Sequence, residues 1–159
     1  HGQKLAGILH PGSFSLLGVG VSLAVAAKNT HPDATVVLIS GDGAFLSGGL
    51  SVEAAFQEAL PIVVVIDNNG GLDCISQQQE RLFANGKHFA TDFRDIPFHT
   101  LFEGMGGHGE LVEHREQLGP AIRRAIASGK TACVNVKAKG VISPIVLATT
   151  SKRDKASIE

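Results

Sequence analysis

The sequence predicts an α/β domain of three layers, a mostly parallel sheet with helices on both faces. Three observations carry that prediction. Two short runs rich in β-branched residues, TVVLIS at 35–40 and IVVVID at 62–67, read as strands buried on both faces. The segment between them, 48–60, has helical spacing and is punctuated by Pro61. Strand, helix and strand in so short a span form a βαβ unit, which builds parallel sheets. Finally, hydrophobic residues make up 43% of the 159 and glycine contributes 19, a packed core in which backbone approaches something closely.

Each element follows in order. Apolar residues at helical spacing (Leu17, Val21, Leu23, Ala24, Ala27) predict a helix over 16–28, whose small residues suit close packing. HPDA at 31–34 breaks the chain before the first strand. After the second strand, the polar stretch 85–95 lacks periodicity and reads as a surface loop. PFHTLFEGM at 97–105 predicts a short helix and GELVE at 109–113 a short strand. REQLGPAIRRAIASG at 115–129 predicts a helix stopped by Gly129, and TACVNVKA at 131–138 a last strand. The organisation expected is one domain over 1–150 with a charged tail at 151–159. Because the chain starts at His1 and not Met, it reads as a processed, truncated or separately encoded piece of something larger.

Composition excludes several functions. A net charge of −1 gives no electrostatic reason to bind nucleic acid or a membrane surface, and no apolar run is long enough to span a bilayer. Trp and Tyr are absent, which removes the usual stacking platforms for single strands. Cys74 and Cys133 are far apart and form no CxxC, which argues against a zinc knuckle or an iron–sulfur cluster. Two reduced thiols and no leader pattern point to the cytoplasm. His88, His99, His108 and His114 show no ligand spacing, whereas His10 in HPGSF borders the turn before the first helix.

The chemistry-bearing stretch is GDGAFLSGGLSVEAAFQEALPIVVVIDNN, Gly41 to Asn69. Ligands of parallel sheets sit at the carboxyl ends of the strands. Asp42 follows one strand and Asn68–Asn69 the next, so both open on one edge of the sheet. A carboxylate, a carboxamide oxygen and backbone carbonyls make a hard oxygen site suited to Mg²⁺ or Ca²⁺. Mg²⁺ prefers to share its shell with phosphate oxygens, and the N–H groups near Gly41 and Gly43 suit an anion. A diphosphate clamped by Mg²⁺ is the expected occupant.

GDG at Gly41–Gly43, the 24 residues 44–67, and NN at Asn68–Asn69 resemble the thiamine-diphosphate-binding motif. GSFSLLGVGVSLAVAAK is similar to the helix entry that holds the aminopyrimidine ring in acetolactate-synthase-like enzymes. The run from His99 to Val136 looks like the end of the same domain. The resemblance is thus to the C-terminal, diphosphate-binding domain of the acetolactate synthase and 2-hydroxyacyl-CoA lyase-like enzymes, with the fold of that domain.

The resemblance implies residue roles. Asp42 and Asn69 would give side-chain oxygens to Mg²⁺, and Gly71 its backbone carbonyl. Gly41, Gly43 and Ala44 would border the diphosphate, with N–H groups of Gly43 and Ala44 donating to it. Leu17 would wedge between the two rings of a bent cofactor, and Ser15 and Leu17 would meet the aminopyrimidine through backbone groups. Asn68 would brace the loop. Leu72 borders the cofactor and opens a substrate-side loop to Gln79, where Asp73, Cys74 and Gln77–Gln79 are candidate contacts. The glutamate that activates the cofactor would come from a pyrimidine-binding partner domain or subunit, since Glu53 and Glu58 read as helix-surface residues. The expected activity is that of a lyase, carboligase or decarboxylase acting on a carbonyl substrate, a 2-oxoacid or a 2-hydroxyacyl-CoA, in a heteromer. The alternative is a non-catalytic regulatory or scaffolding subunit that keeps the fold. Arg81, Lys87 and Lys152–Arg153 read as solvated charge before they read as an acyl-CoA phosphate site.

Overall fold

The computed structural model describes residues 7–12, 16–83, 86–144 and 146–148. Its elements run α1 Val19–Thr30, β1 Val36–Gly41, α2 Asp42–Gly48, a 3₁₀ turn Gly49–Val52, α3 Glu53–Gln57 and β2 Ile62–Asn68. There follow α4 Asp73–Leu82, α5 Phe98–Gly104, β3 His108–Val112, α6 Arg115–Ala127 and β4 Ala132–Lys137. The predicted tail at 151–159 and the domain limit at 150 lie outside the described residues.

All four strands are parallel, in the order β1-β2-β4-β3. Chain direction explains the layers. From β1 to β2 and from β2 to β3 the chain advances across the sheet, and it steps back from β3 to β4. Right-handed crossovers then put α6 on the face opposite the earlier helices. The cores agree: α1, α2, α3 and α5 bury Val21, Phe45, Ala55, Phe98 and Phe102 against Ile62, Val64, Ile66 and Cys133. On the other face α6 buries Ala121 and Ala125 against Val63, Val65, Val112 and Val134. Phe45 anchors the first face, its ring meeting Phe98 edge-on at 5.5 Å and Phe102 at 5.9 Å.

Three predicted elements differ from the structure. β1 is half-buried on one face and exposed on the other, because it ends the sheet; Val37 and Ile39 are 42% and 78% exposed. The helix predicted over 48–60 begins at Asp42, directly from β1, and is interrupted by the 3₁₀ turn. A close backbone approach lies at the same place. Gly18, at φ +94, lies backbone to backbone against Gly48, and a Cβ at Gly18 would stand 2.8 Å from the Gly48 nitrogen. Lastly, the segment expected as a substrate-side loop, 72–79, is mostly helix α4. Its Gln, Glu, Arg and Leu residues are good helix formers, and Asp73 opens the first turn. Described residues 86–95 carry no helix or extended strand, as expected, apart from a single antiparallel bridge from Asp92 to Gly71.

Candidate functional site

The carboxyl ends of β1 and β2 stand side by side, with Gly41 in register with Asp67. Asp42 is 3% exposed and organises the loop beyond β2. Its Oδ2 accepts the Gly70 N–H at 2.8 Å and the Gly71 N–H at 3.0 Å, and its Oδ1 accepts the Gly43 N–H at 2.6 Å. Three backbone donors on one carboxylate hold the two strand ends together as one unit. Immediately before the tethered glycines comes Asn69, whose Oδ1 is buried without a hydrogen-bond partner. An unpaired buried acceptor costs about 1–3 kcal/mol, and native structures hold few of them. Asn69 Oδ1 is therefore an oxygen prepared for a ligand that the protein itself does not supply.

Neighbouring charge has the same sign. Asp67, at the end of β2, has its carboxyl pushed above the usual range by burial, and further by Asp42 and Asp73. The Asp42 and Asp73 carboxylates thus act on Asp67 with the same sign of charge, although Asp67 itself is exposed at the strand end. A group that lowers this local negative potential is a cation, and a hard one given the all-oxygen donors. The residues present fit Mg²⁺ on this ground. No loop hydrogen bond among the described residues takes up the Gly71 carbonyl, which leaves it open as a further donor.

The remaining predicted residues fall as follows. The Gly43 N–H is already engaged by Asp42, and Leu72 packs where a Gly43 side chain would be, which keeps this position glycine. Ala44 follows in the first turn of α2, where N–H groups have no intrahelical acceptor. Gly41 has open space where a Cβ would stand. Leu17 is 57% exposed and shares with Gly41 and Ala44 the upper end of a groove of about 940 Å³. Most of that groove follows the free edge of β1, and neither Asp42 nor Asn69 lines it, so the metal-type oxygens sit beside it. His10 lines it as well. Ser15 lies outside the described residues.

Other candidates serve the structure. Gln77 Nε2 donates to Asp73 Oδ2 at 2.7 Å and to the Val141 carbonyl at 2.9 Å, while its Oε1 accepts the Ser143 N–H at 2.9 Å. Gln77 thereby ties the segment after β4 across α4. Glu53 and Glu58 are exposed on and just past α3. Cys74 is exposed and Cys133 buried, both free, and burial pushes the Cys133 thiol up. Among the described residues no group of three or more His, Cys, Asp or Glu could hold a metal. No helix among them is long and apolar enough to cross a membrane. Sequence reasoning passed over Asp67, although a carboxylate closing a strand of five apolar residues was a visible signal.

Comparison with known proteins gives the family. Residues 2–136 match the model of the thiamine pyrophosphate enzyme C-terminal TPP binding domain. The chain is similar to an acetolactate synthase large subunit of Mycobacterium tuberculosis, 38% identical over 129 residues, covering 80% of this chain and 23% of that protein. A 2-hydroxyacyl-CoA lyase of Arabidopsis thaliana is 31% identical over 132 residues, again 80% of this chain and 23% of the relative. An acetolactate synthase large subunit of Corynebacterium glutamicum is 35% identical over 122 residues, 74% of this chain and 19% of the relative. The chain spans less than a quarter of the length of these relatives.

Proposed function

Because the chain belongs to the thiamine pyrophosphate enzymes, as their C-terminal TPP binding domain, we propose that it holds the diphosphate and Mg²⁺ of a C–C lyase, carboligase or decarboxylase. Its substrates in this reading are 2-oxoacids or 2-hydroxyacyl-CoA thioesters, in keeping with the names of its relatives. The observation that carries the reading is the unpartnered Asn69 Oδ1 beside the Asp42 carboxylate. Asp42, Asn69 Oδ1 and the Gly71 carbonyl would hold the metal. The first turn of α2, at Ala44, and the space beside Gly41 would receive the diphosphate, and Leu17 would meet the cofactor from the groove side. When bound, thiamine diphosphate supplies the carbanion and electron sink for breaking or forming a bond next to a carbonyl.

This chain's own contribution is placement. Asp42 locks the 70–71 loop, so Asn69 needs little reorganisation to meet a cation. The carboxylates of Asp42, Asp67 and Asp73 draw the cation to the strand ends. The activating glutamate comes from a pyrimidine-binding partner domain or subunit. The exposed Leu16, Leu17, Val37 and Ile39 along β1 offer an apolar surface for such a partner. Two free thiols suit a reducing, cytoplasmic setting. A non-catalytic subunit is the weaker reading, since a lapsed site has no reason to retain a costly unpaired Asn69 oxygen.

Asn69→Ala tests this most cleanly, because no protein hydrogen bond to its Oδ1 is lost. Calorimetric titration of the complete enzyme with thiamine diphosphate and Mg²⁺ should show affinity falling by about 100-fold, with thermal stability unchanged or higher. Unchanged affinity would mean that the metal lies elsewhere.

A further inference from the structure

A second polar device stands behind the asparagine pair. Asn135 is the one polar side chain in the buried run of β4, and it is fully buried. It points to the α5 side of the sheet, as does Asn68, which is 4% exposed. Asn68 Nδ2 donates to the Ile96 carbonyl at 3.1 Å and to Asn135 Oδ1 at 3.0 Å. Asn135 Nδ2 in turn lies 3.2 Å from His99 Nδ1, in the first turn of α5.

The order of protons in this chain can be read from one end. A backbone carbonyl only accepts, so the atom of Asn68 facing Ile96 must be the amide nitrogen. That nitrogen also faces Asn135, which must then present its oxygen. The Asn135 nitrogen is left facing His99, and the bond forms only if Nδ1 carries no proton. His99 is therefore held with its proton on Nε2, and a proton on Nδ1 would set donor against donor. The main-chain carbonyl of Asn68 is fixed as well, accepting the Ala138 N–H at 3.0 Å. The residue from which Asn69 departs is thus clamped by side chain and backbone together.

We propose that His99 is a positioning residue for the cofactor site, acting through Asn135 and Asn68 to aim Asn69. The inference rests on the functional reading above, since it presumes that Asn69 meets the metal. It separates a hydrogen-bond acceptor at position 99 from mere bulk. In His99→Asn the Oδ1 replaces Nδ1 at nearly the same place, and the relay survives. In His99→Leu the volume stays but the acceptor is gone, so the Asn135 amide is free to turn and Asn68 with it.

The test uses the complete enzyme. Calorimetry with thiamine diphosphate and Mg²⁺ should find His99→Leu about tenfold weaker, the lower end expected for a partner outside the metal shell, and His99→Asn within about twofold of wild type. Long-range ¹⁵N–¹H correlation of the histidine-labelled wild type, recorded without cofactor, should show the His99 proton on Nε2. A proton on Nδ1, equal binding by His99→Leu and wild type, or equal weakening by both variants overturns the inference and leaves the functional reading standing. A wild type that takes up no cofactor overturns the functional reading, and this inference with it.

Discussion

Two carboxylate groupings in this domain are near opposites. At the edge strand β3, Glu110 sits in a completed ion cluster, its oxygens 2.8 and 2.7 Å from Arg124 nitrogens and 2.9 Å from His108 Nε2. The Arg124 bond, above all, holds its carboxyl down at about 2. At the ends of β1 and β2, Asp67 is driven the other way, by burial and then by Asp42 and Asp73. One grouping carries its own cation, Arg124; the charges acting on the other are more carboxylates. Chains tend to neutralise such clusters unless something outside them does so. The difference marks the strand ends as a place built for an external cation, and β3 as a finished surface.

Removing the central carboxylate should break this contrast with the largest effect. Asp42→Ala deletes a metal oxygen and also unpairs the Gly70 and Gly71 N–H groups, a loss of about 1–3 kcal/mol in folding. Asp42→Asn separates the two consequences in part: an oxygen left at the Oδ2 position still accepts from Gly70 and Gly71 while the charge is gone, and only the Gly43 N–H then faces an amide donor. Both variants should bind thiamine diphosphate and Mg²⁺ more than about 100-fold less tightly by calorimetry. The alanine, which unpairs all three N–H groups, should lose more Tm than the asparagine. A normal affinity in Asp42→Asn would show that charge is not what the strand ends contribute.

Glycines sharpen the comparison between scaffold and site. Gly18 is scaffold: its φ of +94 and its contact with Gly48 leave no room for a side chain. Its role is internal to the domain, not a surface kept small for a partner. Gly18→Val should lower stability by more than about 2 kcal/mol, from the strained backbone alone upward. Gly41 has an ordinary φ of −71 and open space around it. Gly41→Ala should leave Tm equal or slightly raised, by about 0.4–1 kcal/mol in stability, while weakening cofactor binding. Thermal melts paired with calorimetry check both. Equal binding in Gly41→Ala would place the diphosphate elsewhere.

How much of this was legible beforehand differs from element to element. The positions of strands β1, β2, β3 and β4 and of helix α6 were, because their apolar residues mark them, although the exposed face of β1 was not. The start of α2 at Asp42 was not, since Gly-Asp-Gly reads as a turn in isolation. The contact of Gly48 with Gly18, 30 residues earlier in the chain, stands where the helix breaks, and no local pattern announces it. Helix α4 was hidden because its polar face dominates, and its few apolar residues, Ile75 and Leu82, stay largely exposed. Asp42 and Asn69 could be named from spacing, yet the orphaned oxygen that gives Asn69 its meaning is a three-dimensional fact. The link from Asn68 to His99 joins β2, β4 and α5, and no local pattern announces it beyond a lone Asn in an apolar strand.

The smallest expected effect belongs to the completed cluster. The folded-state pKa of Glu110 lies below its ordinary 4.5, at about 2. A depressed carboxylate stabilises the fold fully above the unfolded value and loses that stabilisation as pH falls through the folded one. Wild type should therefore melt above Glu110→Gln at neutral pH, with the gap closing between pH 4.5 and about 2. The gap should be modest, roughly 2 °C or less, because Arg124 is 57% exposed and water screens the pair. Cofactor affinity should not change, since β3 lies at the far edge of the sheet from β1, beyond β4 and β2. A Glu110→Gln variant that bound cofactor poorly would show that the two carboxylate groupings are coupled through the sheet, and the contrast between a finished surface and a waiting site would fail.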